Sequence, residues 1–398
     1  MTKYDYLIVG AGIIGLTIAY ELKKKYPDSK IVILEKEAEV AMHASGRNSG
    51  ILHAGFYYTD NSLKARFCVQ GNAAMKAFCQ SQNISIANDG KLVVATNTAD
   101  VATLKTLYDR GLKNGVDVRL VDEAEAKEIE PRMKTVQKAL YSPNTAAVNP
   151  VKVCLHLKEL LAKQGVEIKT GNKVREIKDD QVISQKETYC FKRLINCAGM
   201  FADKIAHMCD VGHQYTMIPF KGIYLTYKGE QRLNTNIYPV PNLLNPFLGV
   251  HFTKTAEGKI KIGPTAIPAF WREHYSGLSH FNLKEAIEIM RLETSMFIHN
   301  YSQFRTIAKQ EFPKYWKPYL INEALKLAHF DSKSFELSPP GIRAQLFNKQ
   351  TKKLEMDFIV ECKKNTTHIL NAVSPAFTCA FALAEYVINL IDRTSYIN

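Results

Sequence analysis

Residues 5–35 read DYLIVGAGIIGLTIAYELKKKYPDSKIVILE and contain the pattern that decides the fold. An apolar run ends at Gly10, a segment with helical spacing follows Gly15, and a second apolar run ends at Glu35. This order predicts a strand, a glycine turn, a helix and a second strand that ends in an acid. Gly10 permits the tight turn, Gly12 lets the backbone approach a pyrophosphate, and Gly15 lets the helix pack closely on the strand.

The glycine turn and the acid together predict a dinucleotide site. The backbone amides at the start of the helix, around Ile14, face the negative charge of a pyrophosphate. Glu35 is placed to accept hydrogen bonds from the adenosine ribose hydroxyls, and its charge disfavours a 2′-phosphate. The motif alone leaves both FAD and NAD open.

Composition limits the class of protein and its location. The chain has 398 residues, enough for two joined domains of ordinary globular composition. Its eight cysteines include no CxxC pair, and no histidine cluster has zinc-ligand spacing, so we expect free thiols and no metal. The start, MTKYDYLIVG, lacks the pattern of a secretion signal, and no segment has the uninterrupted apolar length of a membrane span. We expect a cytoplasmic protein, at most peripheral at the inner face of the cell membrane.

The formal net charge of +13 bears on the choice of partner. A basic balance of this size favours an anionic small-molecule substrate or contact with an acidic membrane surface. A solvated basic surface without any partner is the alternative. Lysines are spread along the chain without an arginine-rich run, so nucleic acid is not expected as a partner.

The segment after Glu35 distinguishes FAD from NAD. Residues 43–65 read HASGRNSGILHAGFYYTDNSLKA, rich in the small and polar residues that wrap a large cofactor. This run resembles the FAD-dependent oxidoreductases of the D-amino-acid oxidase superfamily, and especially the L-2-hydroxyglutarate dehydrogenase/oxidase branch. Further matches occur in order at 173–177, 194–203, 238–253, 261–270, 341–345 and 371–387.

This sequence departs from the branch at two places. Ala376 stands where the branch has glycine, which we expect to crowd the flavin or to shift the start of the last helix. Lys221 and Ile223 replace an arginine and a glutamate, so a guanidinium fork and a carboxylate are lost there.

The resemblance implies an α/β (α+β overall) fold, with a Rossmann-like FAD-binding domain and an interleaved antiparallel-sheet substrate domain. The FAD-binding domain is expected to be discontinuous, over 1–90, 145–215 and 340–398, with substrate-binding residues in 91–144 and 216–339. The residues expected to contact FAD are Gly10, Gly12, Ile14, Gly15, Glu35, Lys36, Ser45, Asn48, Ser49, Gly50, Val174, Ala198, Gly199, Ser374, Pro375 and Ala376.

The implied reaction is oxidation of a small 2-hydroxy acid, with L-2-hydroxyglutarate as the leading candidate and quinone or oxygen as the electron acceptor. A histidine suits the proton transfer, and His53 is the first candidate, His251 the second, while His43 is expected to orient the cofactor loop. A buried structural histidine or a covalent flavin link is the alternative for His53. Arg343 is expected to bind the substrate carboxylate through its planar fork, although a surface salt bridge is the common fate of arginine.

Other assignments remain open. The distal carboxylate has four candidate ligands: Tyr57, Tyr58, Lys64 and Lys221. Residues 270–330 are expected to be helical, with interleaved aromatic and basic residues that either contact lipid headgroups or pack on the core. An oxidase of amino or N-methyl amino acids is the alternative function, followed by a non-catalytic or RNA-modifying flavoprotein.

Overall fold

The computed structural model describes residues 2–242 and 249–395, so the match at 238–253 lies partly outside the described residues. The strands are β1 (Lys3–Val9), β2 (Ile31–Leu34), β3 (Ile51–Leu52), β4 (Ile86–Ala87), β5 (Lys91–Val94), β6 (Arg119–Asp122), β7 (Lys138–Ser142), β8 (Ala146–Val148), β9 (Glu167–Lys169), β10 (Val174–Lys178), β11 (Gln181–Ser184), β12 (Thr188–Asn196), β13 (Tyr215–Tyr227), β14 (Asn236–Pro239), β15 (His251–Lys254), β16 (Ile260–Gly263), β17 (Ile267–Pro268), β18 (Phe335–Asn348), β19 (Lys353–Leu354), β20 (Ile359–Lys363) and β21 (Thr366–Asn371). The α-helices are α1 (Ile13–Lys25), α2 (Leu63–Ser81), α3 (Thr98–Lys113), α4 (Glu123–Ile129), α5 (Pro150–Lys163), α6 (Ala202–Met208), α7 (Leu283–His299), α8 (Phe304–Glu311), α9 (Lys317–Leu325) and α10 (Ala376–Ser395).

The first large sheet carries the glycine turn. Parallel pairing joins β9, β2, β1, β12 and β21 in that order, and the antiparallel strands β10, β11 and β20 extend the sheet. Every residue of β2 is buried, because helices cover both faces of the sheet. Ile8 and Ile33 pack with α1, α2 and α10, whereas Leu7 and Val32 pack on the face that includes Ile205 of α6.

The second large sheet is antiparallel except where β14 runs parallel to β5. Its strand order is β19, β18, β13, β16, β15, β14, β5, β7 and β6, with β17 paired to β13. The two sheets together confirm the predicted fold class. Strand β18 crosses the predicted domain boundary at residue 340 and pairs with β13 on both sides of it.

The segment at 270–330 is helical only between residues 283 and 325, where α7, α8 and α9 are joined by short 3-10 turns. Helix α7 begins after Asn282, whose side chain accepts a hydrogen bond from the Glu285 amide. Residues 269–282 instead form turns. Among the described residues, no helix combines the length and apolarity that crossing a bilayer demands.

A buried ion pair joins these turns to α6. The guanidinium of Arg272 donates to both carboxylate oxygens of Asp203, at 2.6 and 2.7 Å, and both side chains are about 1 % exposed. The same carboxylate accepts hydrogen bonds from the amides of Lys204 and Met217. The Arg272 guanidinium holds the pKa of the Asp203 carboxyl below its usual value, although burial opposes this shift.

Candidate active site

One cavity of about 550 Å³ is lined by residues of both large sheets. Glu35 and Val174 lie among its lining residues from the first sheet, whereas His251 and Arg343 line it from the second. All of the residues predicted to contact FAD line this cavity except Gly15 and Gly50. The four predicted ligands of the distal carboxylate, Tyr57, Tyr58, Lys64 and Lys221, are not among its described lining residues.

Two glycines shape the turn between β1 and α1. Gly10 has a φ of +103°, and a Cβ there would lie 2.6 Å from the Cys197 carbonyl oxygen. A Cβ on Gly15 would lie 2.0 Å from the carbonyl oxygen of Gly10. Gly15 therefore permits the close packing of helix on strand and has no need to touch the cofactor.

The start of α1 fits the pyrophosphate of a dinucleotide. Gly12 has no side chain that could cap the helix, and the first turn of the helix contains no acidic residue. The amide of Ile13 donates to the Ser45 hydroxyl at 2.8 Å, which fixes the following loop against the helix. The helix dipole and its open amides favour an anion at this position.

Glu35 lies at the end of β2 and is 8 % exposed. Its carboxylate accepts hydrogen bonds from the amides of Ala11, at 2.8 Å, and Glu37, at 2.9 Å. These bonds leave lone pairs for ribose hydroxyls. Together with the open helix end, this acid indicates that the cavity fits the adenosine half of FAD.

Lys36 and His43 belong to a charged cluster beside this site. The Lys36 ammonium contacts the carboxylates of Glu37 and Glu273, and lies 3.0 Å from the His43 Nε2 atom. The second nitrogen of His43 lies 2.7 Å from the Tyr275 hydroxyl. Glu37, His43 and Glu273 offer metal-ligand atoms, and the Lys36 ammonium pairs with both of these carboxylates. His43 thus links the cofactor loop to the turns that precede α7.

The start of α10 forms another wall of the cavity. The helix begins at Ala376, the position where a glycine was expected, and Ser374, Pro375 and Ala376 all line the cavity. Thr378, in the first turn, accepts a hydrogen bond from the His53 amide at 3.1 Å and donates to the Ile51 carbonyl. This helix start therefore fixes the backbone of His53.

His53 is a buried, uncharged imidazole. Burial is the main cause that lowers its pKa well below the usual value, and Lys91, His251 and Arg343 add to the effect. Its Nδ1 atom lies 3.3 Å from the Lys91 ammonium nitrogen. Within the described residues, its Nε2 atom has no hydrogen-bond partner, and His53 lines the cavity. A neutral histidine with one open nitrogen is suited to accept a proton.

His251 presents a second neutral imidazole. Its ring stacks on Tyr238, with centroids 3.8 Å apart. Its Nδ1–H donates to the Gly249 carbonyl at 2.9 Å, and because a carbonyl only accepts, Nε2 carries the lone pair. Burial lowers the pKa of His251 to about 3, so it accepts hydrogen bonds without taking up charge.

Arg343 supplies the positive charge of this end of the cavity. It lies on β18 opposite Phe220 and is half-buried. It disfavours protonation of both His53 and His251, which places its charge near both imidazoles. We refer to the end lined by His53, Tyr224, Tyr238, His251 and Arg343 as the inner pocket.

The four predicted carboxylate ligands have other surroundings. Tyr57 packs in the cluster around Val93 and Tyr238, and within the described residues its hydroxyl has no partner. Burial lowers the pKa of the Lys64 ammonium to about 8, although the nearby Asp357 carboxylate partly opposes this shift. Lys221 lies on β13, and burial lowers its pKa. Tyr58 is likewise absent from the described lining residues, and the charge of Arg343 acts on Tyr58 and Lys64, so a substrate role for these side chains stays a prediction.

Sequence reasoning missed Tyr238 and Lys91. Tyr238 stacks on His251 and meets His53 edge-on, and Lys91 lies behind His53. The match at 238–253 includes Tyr238, but no local pattern shows that its ring contacts two histidines. Lys91 is a single lysine in an apolar strand. A lysine at the exposed edge of a sheet gives the same sequence pattern, so the pattern does not show that Lys91 is buried.

Comparisons with known proteins agree with this geometry. Residues 5–390 match the family described as FAD dependent oxidoreductase. A mitochondrial L-2-hydroxyglutarate dehydrogenase of Nematostella vectensis is 35% identical, with 96% of this chain and 89% of that protein covered. The L-2-hydroxyglutarate dehydrogenase of Escherichia coli strain K12 is 32% identical, with 98% and 93% covered.

Solved structures share the fold. An FAD-bound L-alpha-glycerophosphate oxidase from Mycoplasma pneumoniae superposes with a TM-score of 0.76 at 22% identity, over 98% of this chain and 95% of that one. Glycine oxidase from Geobacillus kaustophilus gives a TM-score of 0.75 at 17% identity, over 99% and 95%. The full-length family match and the fitted dinucleotide cavity lead to one conclusion: the chain belongs to the FAD-dependent oxidoreductase family.

Proposed function

We propose that this chain oxidises L-2-hydroxyglutarate to 2-oxoglutarate. The observation that carries the proposal is the charge of the inner pocket, where Arg343 lies beside two neutral imidazoles. The carboxylates that line the described cavity lie elsewhere, with Lys36, with Arg272 or at the glycine turn. A dianionic hydroxy acid matches this distribution. The relatives that cover nearly the whole chain carry the name of this activity.

The residues of the inner pocket have separate roles in the oxidation of a hydroxyl group. FAD, when bound, accepts the hydride that leaves the substrate α-carbon. Arg343 holds the α-carboxylate and so orients that carbon. The open Nε2 of His53 takes the hydroxyl proton, and His251, with its Nε2 lone pair, accepts a hydrogen bond from the same group.

Anaerobic reduction of the bound flavin tests the substrate. We expect L-2-hydroxyglutarate to bleach the flavin absorbance, and D-2-hydroxyglutarate, lactate and a panel of amino and N-methyl amino acids to do so far more slowly. Rapid bleaching by glycine or sarcosine would favour the amine-oxidase alternative, because a similar arginine binds the carboxylate of an amino acid. Protein that stays colourless after reconstitution with FAD would refute every version of the proposal.

We further propose that the electrons pass to a quinone at an anionic membrane surface. Helix α7 has two adjacent apolar stripes, and the stripe at Leu283, Ile287, Met290 and Phe297 is exposed. Phe312 and Trp316 are about 60 % exposed (61 and 59 %) and meet edge-to-face. Exposed basic residues accompany them: Arg291, Arg305, Lys309 and Lys317. Aromatic and basic side chains in this combination suit a headgroup region.

Vesicle sedimentation tests the membrane contact. We expect binding to vesicles that contain phosphatidylglycerol, weakened by salt and by the double substitution Phe312→Ser and Trp316→Ser. Leu337→Ser is the matched control, because Leu337 is 71 % exposed but lies on β18, away from these helices. Absence of wild-type binding would remove the membrane contact, and reoxidation by oxygen alone would identify oxygen as the acceptor.

A further inference from the structure

Lys91 is a fully buried lysine on β5. Its exposed fraction is 0 %, and among residues 2–242 and 249–395 it has no carboxylate partner. Its ammonium nitrogen lies 4.2 Å from the Tyr238 ring centroid and 5.0 Å from that of Tyr57. The nitrogen lies 3.3 Å from the His53 Nδ1 atom. A buried cation in such a place costs folding free energy unless it is paired or loses its charge.

The surroundings of Lys91 favour its uncharged form. Burial lowers the pKa of Lys91 to about 7, and the Cys68 thiol on α2 opposes this shift only in part. The other titratable groups that face the Lys91–His53 pair are Tyr57, Tyr238 on β14, His251 on β15 and Arg343 on β18. Of these, His251 and Arg343 disfavour protonation of His53. Lys91 can therefore gain or lose a proton near neutral pH, whereas the resting His53 imidazole stays neutral.

We propose that Lys91 is a positioning residue that controls which nitrogen of His53 carries the proton, an inference that rests on the proposed role of His53. Uncharged Lys91 accepts the Nδ1 hydrogen, so Nε2 keeps its lone pair and faces the substrate hydroxyl. Charged Lys91 instead donates to Nδ1, and Nε2 then carries a hydrogen and cannot act as a base.

The proton balance of one turnover follows from this arrangement. The substrate C–H bond breaks and its hydride leaves to FAD, while the O–H bond breaks and its proton binds His53 Nε2. The Nδ1 hydrogen then moves to Lys91, so the pair ends with one proton more than it began with. The former hydroxyl becomes the carbonyl of the product. Release of the extra proton to solvent restores the pair.

Two substitutions separate proton control from a merely positive charge. Lys91→Met removes the nitrogen but keeps the length of the side chain, and Lys91→Arg keeps a permanent cation. In the wild type we expect the rate of anaerobic flavin reduction to rise with pH and to level off above the pKa of the pair. Both variants should reduce at least about 100-fold more slowly at high pH and lose this rising limb.

A substrate-free measurement tests whether Lys91 loses its charge. Because its folded-state pKa lies below the value of an unfolded lysine, the unfolded chain binds more protons between about pH 7 and 10. The thermal midpoint of the flavin-loaded wild type should therefore rise relative to that of Lys91→Met over this window. Flavin absorbance and the midpoint also show whether each variant has folded.

Each result bears on one claim. Wild-type flavin that L-2-hydroxyglutarate does not reduce would refute the proposed function, whatever Lys91 does. Given wild-type reduction, a Lys91→Arg variant with the wild-type rate and pH profile would overturn proton control, because a fixed charge would then suffice. A Lys91→Met midpoint that runs parallel to the wild type from pH 7 to 10 would also overturn it, since Lys91 would then stay charged.

Discussion

Replacement of Arg272 by methionine should leave Asp203 as a buried, unpaired carboxylate. The methionine fills much of the space of the arginine stem, so the main loss to Asp203 is its two hydrogen bonds at 2.6 and 2.7 Å. The Met200 carbonyl also loses its hydrogen bond from the guanidinium. The amides of Lys204 and Met217 remain, but they carry no full charge. Breaking a buried pair in this way costs about 3–5 kcal/mol.

Protonation of Asp203 sets a limit to this cost. An unpaired buried carboxyl avoids the desolvation cost of its charge by binding a proton. With an ordinary aspartate pKa near 3.9, this protonation costs about 4 kcal/mol at pH 7 and about 1.5 kcal/mol at pH 5. In the wild type, the Arg272 guanidinium lowers the pKa of the Asp203 carboxyl. The ion pair therefore stabilises the folded protein above the pKa of an unfolded aspartate, and this stabilisation is lost as the pH falls through the folded-state pKa. The gap in stability between the two proteins should therefore narrow by about 2–3 kcal/mol between pH 7 and pH 5.

Thermal unfolding of the flavin-loaded proteins measures this gap. With an unfolding entropy proportional to chain length, a loss of 4 kcal/mol lowers Tm by about 5 °C. Asp203→Leu is the matched control, because the arginine left behind cannot lose its proton, and its Tm deficit should not shrink at pH 5. An Arg272→Met deficit below about 1 °C at pH 7, or one that is the same at both pH values, would refute the reasoning.

Three further substitutions test the site. Arg343→Ala should weaken substrate binding about 10- to 100-fold with an unchanged flavin spectrum, and an unchanged Michaelis constant would remove Arg343 from the site. His53→Ala should slow anaerobic flavin reduction about 100-fold or more, with a substrate Kd close to that of the wild type; fast reduction would assign the base elsewhere. Gly15→Ala places a Cβ 2.0 Å from the Gly10 carbonyl oxygen, so the purified protein should contain less FAD per chain, and full occupancy would contradict this packing.

The cofactor half of the site was predictable because its signals are contiguous. Gly10, Gly12 and Glu35 lie within 26 residues, and a strand, a turn and a helix in that order admit few arrangements. Burial of every residue in β2 follows from an unbroken apolar run. Gly15 and Gly50 do not line the cavity, because their close contacts are with the backbone of Gly10 and Val148.

The inner pocket was less predictable because its members come from distant strands. Lys91 on β5 lies opposite Asn236 on β14, two residues before Tyr238, through a parallel pairing that no local pattern specifies. The aromatic run at 56–58 shows the opposite difficulty. Its tyrosines looked suited to a substrate, but Tyr57 turns into the core that also buries Phe56 and Leu140.

The proposed proton transfer depends on contact between two separate parts of the fold. The backbone of His53 is fixed by Thr378 and Asn72 from α10 and α2, whereas its Nδ1 partner, Lys91, lies on β5 of the second large sheet. The 3.3 Å contact with Lys91 ceases to be a hydrogen bond if these two parts separate by about 0.5 Å, a change too small to open the glycine turn. Strain between these two parts should therefore abolish control of the His53 proton before it releases FAD.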